Sequence, residues 1–195
     1  QDLWLTGLYA AGGSADSGMH GADMIPVNRI LDDLIGGSNA GLSAAKWSGT
    51  VGFGNQDFLY EMALISENSI ESLSRTESGP SVGAGIASLR RLMNSSMGLE
   101  REAVIISSCS AQIEEMVKES TRISDESFVM NTELVKALEL QGMLALARTI
   151  ASTADAREES RGSHRRIDYP EMDEKQSESL VVDLSLIHIS EPTRQ

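Results

Sequence analysis

The stretch from Gly7 to Asp23, GLYAAGGSADSGMHGAD, constrains the fold more than any other part of the chain. A short apolar run, Leu8 to Ala11, leads directly into Gly12-Gly13-Ser14 and then into the turn Gly18-Met19-His20-Gly21. That order reads as a buried strand delivering a glycine-rich loop, and such loops serve a ligand or a close backbone contact. A buried strand needs neighbours on both sides, and the six residues ahead of Gly7 are too few to build them. The expectation is a strand, loop and helix whose sheet partners lie outside the chain. The glycines do not follow the G-x-G-x-x-G spacing of a dinucleotide fingerprint, so plain turns at Gly12, Gly13, Gly18 and Gly21 are an equal alternative.

A helix is expected after this loop, over residues 28–47, with Asn28 as its N-cap and Ile30, Leu31, Leu34 and Ile35 at helical spacing. Its middle is rich in Gly, Ala and Ser, which lower helicity and allow a close approach by a neighbouring backbone or a ligand. The free N–H groups and dipole at its start suit a negatively charged ring or a carboxylate. His20 is a candidate proton carrier or hydrogen-bond donor, with a purely structural role as the alternative. Arg29 is a candidate positive charge, or a solvated side chain.

From Trp47 to Val82 the periodicity weakens and serine and glycine rise, which reads as a linker with a short helix around Phe58 to Ile65. Beyond Gly85 the pattern is helical. Ile86, Leu89, Leu92 and Met93 mark one helix, and Val104, Ile105, Ile113, Met116 and Val117 a second. A third, over 131–158, carries Leu134, Leu138, Leu140, Met143, Leu144, Leu146, Ala147 and Ile150, with NTEL supplying an N-cap and an early acid. Three such helices with short connections predict an antiparallel bundle, in which Leu138 and Leu146 are expected to be buried.

The net charge of −13 and pI near 4.6 argue against nucleic-acid partners, since the chain and a phosphate backbone repel one another. The one dense basic cluster is Arg161, Arg165 and Arg166, within AREESRGSHRRIDYPEMDE. There Gly162 reads as the stop of the third helix, and Arg161 and His164 as residues that dock another domain. Ser163 beside His164 is not a nucleophile–base pair on sequence adjacency alone. The single cysteine, Cys109, suits a reducing, cytoplasmic setting, and no Cys and His spacing predicts a metal site. No apolar run is long enough to span a membrane.

The residues now carry a resemblance. GLYAAGG, GMHGAD and NRILDDLIGGSNAG resemble the end of the flavin-binding domain in the succinate dehydrogenase, fumarate reductase and L-aspartate oxidase flavoprotein family, where the pattern runs GLYAAGE, HGANRLG and NSLL. ESRGSHRRIDYPEMDE resembles that family's ESRGAH.R.DYP, which closes its C-terminal helical domain. The order is the family's, and the resemblance runs from Gly7 to Glu174. It implies a mostly α chain: a remnant strand-loop-helix of an FAD-binding α/β domain (1–52), a linker with a short helix (53–82), an antiparallel three-helix domain (83–165) and a tail (166–195). Residues 185–195, SLIHISEPTRQ, fit nothing in the family, resemble translated sequencing-adapter DNA, and are expected not to be native.

By the same resemblance, Gly12 and Gly13 fall at the FAD ribityl loop and His20 and Gly21 at the HG turn. Asn28, Arg29 and Ile30 fall at the helix start beside the isoalloxazine. Gly13 stands in place of an acidic residue that binds FAD, and Met24 in place of the arginine that grips substrate carboxylate. Losing a charge-assisted contact of that kind costs on the order of 2–5 kcal/mol when it is desolvated. Arg29 is the candidate replacement. The implied function is the C-terminal part of an FAD-dependent oxidoreductase subunit, passing hydride between flavin and a small carboxylate-like substrate. The implied partners are the missing N-terminal FAD-binding half and an iron–sulfur subunit, with a cytoplasmic location or attachment to the inner face of a membrane through partner subunits. The chain alone is expected to hold no FAD and to be inactive. The alternative is a non-catalytic helical interaction module that keeps the family scaffold.

Overall fold

The computed structural model of the chain describes residues 6–22, 25–74, 78–125, 127–183 and 188–190. It divides into two compact units, Gln1–Ala63 and Leu64–Gln195, each taken here by itself.

In the first unit a short 3-10 turn, Gly12–Ser14, precedes helix α1, Pro26–Ser48. The expected strand over Leu8 to Ala11 is not formed, because no neighbouring strand offers a ladder among the described residues. The segment instead lies along α1 in the opposite direction. Gly7, at φ +92°, meets the Trp47 indole; Tyr9 Oη donates to the Ser43 carbonyl at 3.4 Å; Ala11 and Gly12 reach Gly36 and Asp33. A Cβ on Gly36 would sit 3.5 Å from both Ala11 Cβ and Gly12 N, so the small residues in the middle of α1 do allow a backbone to come close. Gly12 is the tightest point: at φ +59°, any side chain there would overlap the Asp33 carboxylate.

Asn28 is not the N-cap. The helix starts two residues earlier, at Pro26, whose fixed φ and missing N–H suit the first helical position, and Ile25 takes the cap with no side-chain hydrogen bond. Ile30, Leu31, Leu34, Ile35 and Leu42 are exposed, and α1 buries no residue.

Helix α2 runs from Gln56 to Ser74, well beyond the short helix expected around Phe58 to Ile65. The Asn55 side chain accepts the Asp57 N–H at 2.9 Å and opens it. Its serine-rich second half imitates a linker in composition, yet Ile70 and Leu73 pack onto a cluster of Val82, Ile123, Leu134 and Ala137. Tertiary burial there overrides weak propensity.

The second unit is the expected three-helix bundle: α3 (Val82–Ser96), α4 (Ala103–Lys118) and α5 (Thr132–Ala156), all three in mutual contact. Ser81 Oγ accepts the Ala84 N–H at 3.3 Å to cap α3. Asn131 Oδ1 accepts the Leu134 N–H at 2.8 Å to cap α5, with Glu133 in the first turn, as NTEL predicts. The main core joins Leu89, Cys109, Ile113, Leu140, Ala147 and Ala151. Two expectations fail: Leu138 is 39% exposed and Leu146 60%. The face of α5 that meets its neighbours is Leu134, Ala137, Leu140, Ala147, Ala151 and Ala154, a seam in which alanine lets helices approach closely. Leu138 and Leu146 lie on another face of the helix.

Strand β1, Val181–Asp183, pairs antiparallel with β2, His188–Ser190, placing Val182 opposite Ile189. The tail expected to be foreign thus supplies one side of a ladder, which backbone groups can form with little regard to sequence.

Leu140→Ala or Ile113→Ala should lower the stability of the helical unit by about 2–5 kcal/mol. Leu146→Ala should lower it by less than about 1 kcal/mol. Denaturant melts followed by circular dichroism check the contrast, and equal losses at Leu140 and Leu146 would refute this core.

Candidate functional site

Two groups of sequence-selected residues fall in separate units. In the first unit, His20 Nε2 lies 3.0 Å from Asp32 Oδ2, both side chains partly buried. Asp32 is on the first turns of α1, so the glycine turn is tied to that helix through a residue that sequence reading missed; its position twelve residues after His20 gave no local signal. Gly13 and Gly21 have open space around them, and Asn28, Arg29 and Ile30 are exposed near the start of α1. The first turn holds no acidic residue and the N-cap no side-chain acceptor, so among the described residues no cap meets the positive end of the helix dipole. Met24 lies outside the described residues.

In the second unit the ESRGSHRRIDYP segment folds back beneath the end of α5. That helix ends at Ala156 with Arg157 as its C-cap, five residues before Gly162, so Gly162 does not stop it. Gly162, at φ +57°, instead leads a two-residue turn in which Arg161 and His164 exchange backbone hydrogen bonds of 2.8 and 3.0 Å. A glycine at the first central position is what such a hairpin turn requires.

Arg166 is 1% exposed and occupies the carbonyl end of α5. Its Nη1 lies 3.0 Å from the Ala154 carbonyl oxygen and 3.3 Å from those of Asp155 and Arg157. Nε and Nη2 donate to the two oxygens of Asp168 at 2.8 and 2.7 Å, and the guanidinium sits 4.9 Å over the Tyr169 ring. Asp168 also accepts the Ala103 N–H at 3.0 Å, the first of α4. One ion pair therefore joins the negative end of one helix dipole to the positive end of another. Backbone bonds on either side, Arg101 N–H to Arg165 O and Ile167 N–H to Arg101 O, both 2.9 Å, hold the two segments in register.

Glu159 is fully buried and charged. Arg157 Nη1 donates to it at 2.6 Å, Arg161 Nε and Nη2 at 2.9 and 3.0 Å, and the Asp173 N–H at 2.8 Å. The Arg161 hydrogen bond, outweighing burial and helped by the Asp173 N–H and Arg157, holds its carboxyl down at about 2. Arg166 likewise holds Asp168 far below the usual carboxylate range. His164 takes its Nδ1 to Arg101 Nη1 at 2.7 Å and its Nε2 to the Arg157 carbonyl at 3.1 Å. A guanidinium can only donate, so Nδ1 accepts and the proton sits on Nε2. Burial first, then Arg101, Arg166 and Arg157, push His164 below its ordinary value and keep it neutral.

Arg161 Nε and Nη2 and both His164 nitrogens thus bond within the helical unit, Arg161 also donating to the Asp173 carbonyl at 3.0 Å. No nucleophile–base pair arises here, and among the described residues no group of acids, cysteines and histidines could hold a metal. Burial raises the Cys109 thiol, which behaves as core. No helix among the described residues is long and apolar enough to cross a membrane.

The family model described as fumarate reductase flavoprotein C-term matches residues 86–185, which hold most of the bundle and the whole of this buried segment. The fumarate reductase flavoprotein subunit of Haemophilus influenzae is 31% identical over 172 residues, covering 87% of this chain and 29% of that protein. The succinate dehydrogenase flavoprotein subunit of Rickettsia bellii is 31% identical over 183 residues, again 87% of this chain and 29% of its own length. The chain therefore spans about three tenths of these relatives. Among solved structures, a quinol-fumarate reductase with menaquinol molecules superposes with a TM-score of 0.87 at 26% identity, over 96% of this chain and 34% of that one. An Escherichia coli quinol fumarate reductase gives 0.85 at 26% identity, over 94% and 33%.

The ionisations set a pH dependence with one sign. His164, lowered when folded, subtracts stability as pH falls below its ordinary 6.5, and Glu159 gives a stabilisation complete above its ordinary 4.5 that is lost as pH drops toward about 2. The helical unit should therefore lose stability gradually below neutrality and steeply below pH 4.5. Glu159→Gln should cost about 3–5 kcal/mol at pH 7 and flatten the steep limb. Melts of both proteins across this range test it, and an unchanged limb in the variant would refute the assignment.

Proposed function

The chain belongs to the fumarate reductase and succinate dehydrogenase flavoprotein family, and from that premise we propose that it forms the C-terminal part of an FAD-dependent oxidoreductase subunit acting on a small carboxylate-like substrate. The observation that carries the reading is the union, in one chain, of the matched helical unit with a glycine segment laid along a helix whose start has no side-chain cap.

The residues present fit a flavin. The uncapped N–H groups of α1, with no acid in the first turn and Arg29 exposed beside them, favour an electron-rich ring edge. Asn28, Arg29 and Ile30 would hold the ring, and Gly12, Gly13 and Gly21 the chain leading to it. FAD, when bound, supplies the two-electron chemistry. Asp32 accepts from His20 Nε2 and so orients the ring, whose Nδ1–H, in the doubly protonated form, would donate to a substrate carboxylate, and Arg29 would supply the positive charge that Met24 does not. Three tenths of a flavoprotein offers few of the contacts that hold a dinucleotide, so the remaining part of the subunit would enclose the cofactor. An iron–sulfur subunit is the proposed electron partner. Docking of Arg161 and His164 onto the rest of the subunit would be indirect, through the segment they stiffen.

The test is to express the chain joined to the upstream region of its own gene, then to measure flavin absorbance and fumarate reduction by a reduced dye. The joined protein should hold FAD and turn over, and the 195-residue chain should hold none. Arg29→Ala should lower kcat/KM by on the order of 100-fold with flavin retained. A joined protein that takes up no flavin rejects the reading, and one that holds flavin but reduces no dicarboxylate favours the non-catalytic module.

A further inference from the structure

Two aspartates stand side by side on α1, and they are used differently. Asp32 is committed, its Oδ2 lying 3.0 Å from His20 Nε2. Asp33 turns its carboxylate onto Gly12, where an oxygen occupies the place a side chain would take. Gly12 permits this because it has no Cβ and, at φ +59°, holds a left-handed conformation that glycine adopts readily. No hydrogen bond or ion pair reaches the Asp33 carboxylate from any described residue. Beside it the loop opens: Gly12 is buried, while Gly13 is exposed, with no atom within 4 Å of the place its Cβ would occupy.

The helix face that meets this segment continues past it. Trp47, Ser43 and Gly36 meet the segment at Gly7, Tyr9 and Ala11, and Asp33 meets it at Gly12. One turn further toward the start of α1, at helical spacing, comes Arg29, exposed like Asp33. Arginine four residues ahead of an acid is the weaker order for a pair on a helix, and the two do not pair here. Among the described residues a cation and an anion are thus left free about 6 Å apart along the axis, the cation beside the uncapped N–H groups and the anion beside an open glycine.

We propose that Asp33 is a further cofactor-binding residue, which accepts hydrogen bonds from the hydroxyls of the flavin's sugar-alcohol chain beside Gly12 and Gly13. The inference rests on the flavin reading of this site. An ionised carboxylate has only acceptors to offer, so its ligand must bring donors, and hydroxyls do. Phosphate would be repelled by the same charge, and the electron-rich ring edge is drawn instead to Arg29 and the helix start. The two side chains together fix which way along α1 the cofactor lies, with its ring toward Arg29 and its hydroxylated chain toward Asp33. An ionised acceptor makes hydrogen bonds about twice as strong as a neutral one, so the charge of Asp33 matters as well as its shape.

The test uses the chain joined to the upstream region of its own gene, freed of flavin and titrated with FAD, with uptake followed by the quenching of flavin fluorescence. Asp33→Asn, which keeps the shape without the charge, should raise the Kd about tenfold, and Asp33→Ala should raise it further. FAD analogues that each lack one hydroxyl of the sugar-alcohol chain identify the contact. At least one of them should bind the parent about tenfold more weakly than FAD does, yet bind Asp33→Ala no more weakly than FAD does. A merely structural role for Asp33 would weaken every analogue alike. The inference is overturned if Asp33→Asn binds FAD as tightly as the parent, or if each analogue loses the same affinity in parent and variant. A joined protein that takes up no flavin overturns the flavin reading and this inference with it, whereas flavin uptake indifferent to Asp33 overturns this inference alone.

Discussion

The carbonyl end of α5 is held by one buried guanidinium, that of Arg166. A helix of 25 residues concentrates its unpaired carbonyls and its partial negative charge at that end. Arg166 answers both at once, and its bond to Asp168 carries the link on to the first N–H of α4. The neighbouring ion pairs follow from that placement. Once the chain has turned beneath α5 to deliver Arg166, Glu159 is enclosed and must be charged and fully bonded, which Arg157, Arg161 and the Asp173 N–H provide. His164 is left neutral among arginines because its acceptor nitrogen is worth more there than a further positive charge.

What the sequence made legible was periodic or lexical. The three helices of the bundle, the Asn131 cap with Glu133 behind it, and the family of the ESRGSHRRIDYP segment could all be read directly. What could not be read depended on partners distant in the chain. Alanine carries little apolar signal, so Ala137, Ala151 and Ala154 do not mark the buried face, whereas Leu138 and Leu146 suggest an outer one. Gly162 looked like a helix stop because glycine after a helix usually is one; only the hairpin bonds between Arg161 and His164 show its use. The strand expected from Leu8 to Ala11 carries the right residues, but a strand is a relation between chains of peptide groups, and here α1 is what lies beside it. The second half of α2 reads as linker by composition until Ile70 and Leu73 find their cluster.

The two units bury their apolar residues to very different degrees. The bundle closes over Leu89, Ile113 and Leu140, whereas α1 leaves Ile30, Leu34 and Ile35 in the open. An apolar face of that kind is unusual on a surface helix, and the relatives this chain matches are about three times its length.

The alanine seam of α5 also sets which errors the bundle can absorb. Where contact is made by methyl groups, there is almost no volume left to lose, so truncation is not the hazard at Ala147 or Ala151. The hazard is growth: each added carbon at those positions must push α5 outward, and because helices move as rods, a local bulge becomes a displacement along their length. Sequence drift in this domain is therefore expected to be one-sided, free on the leucine-bearing outer faces and held small along the seam. The spacing between helices is fixed less by what fills it than by what is kept out.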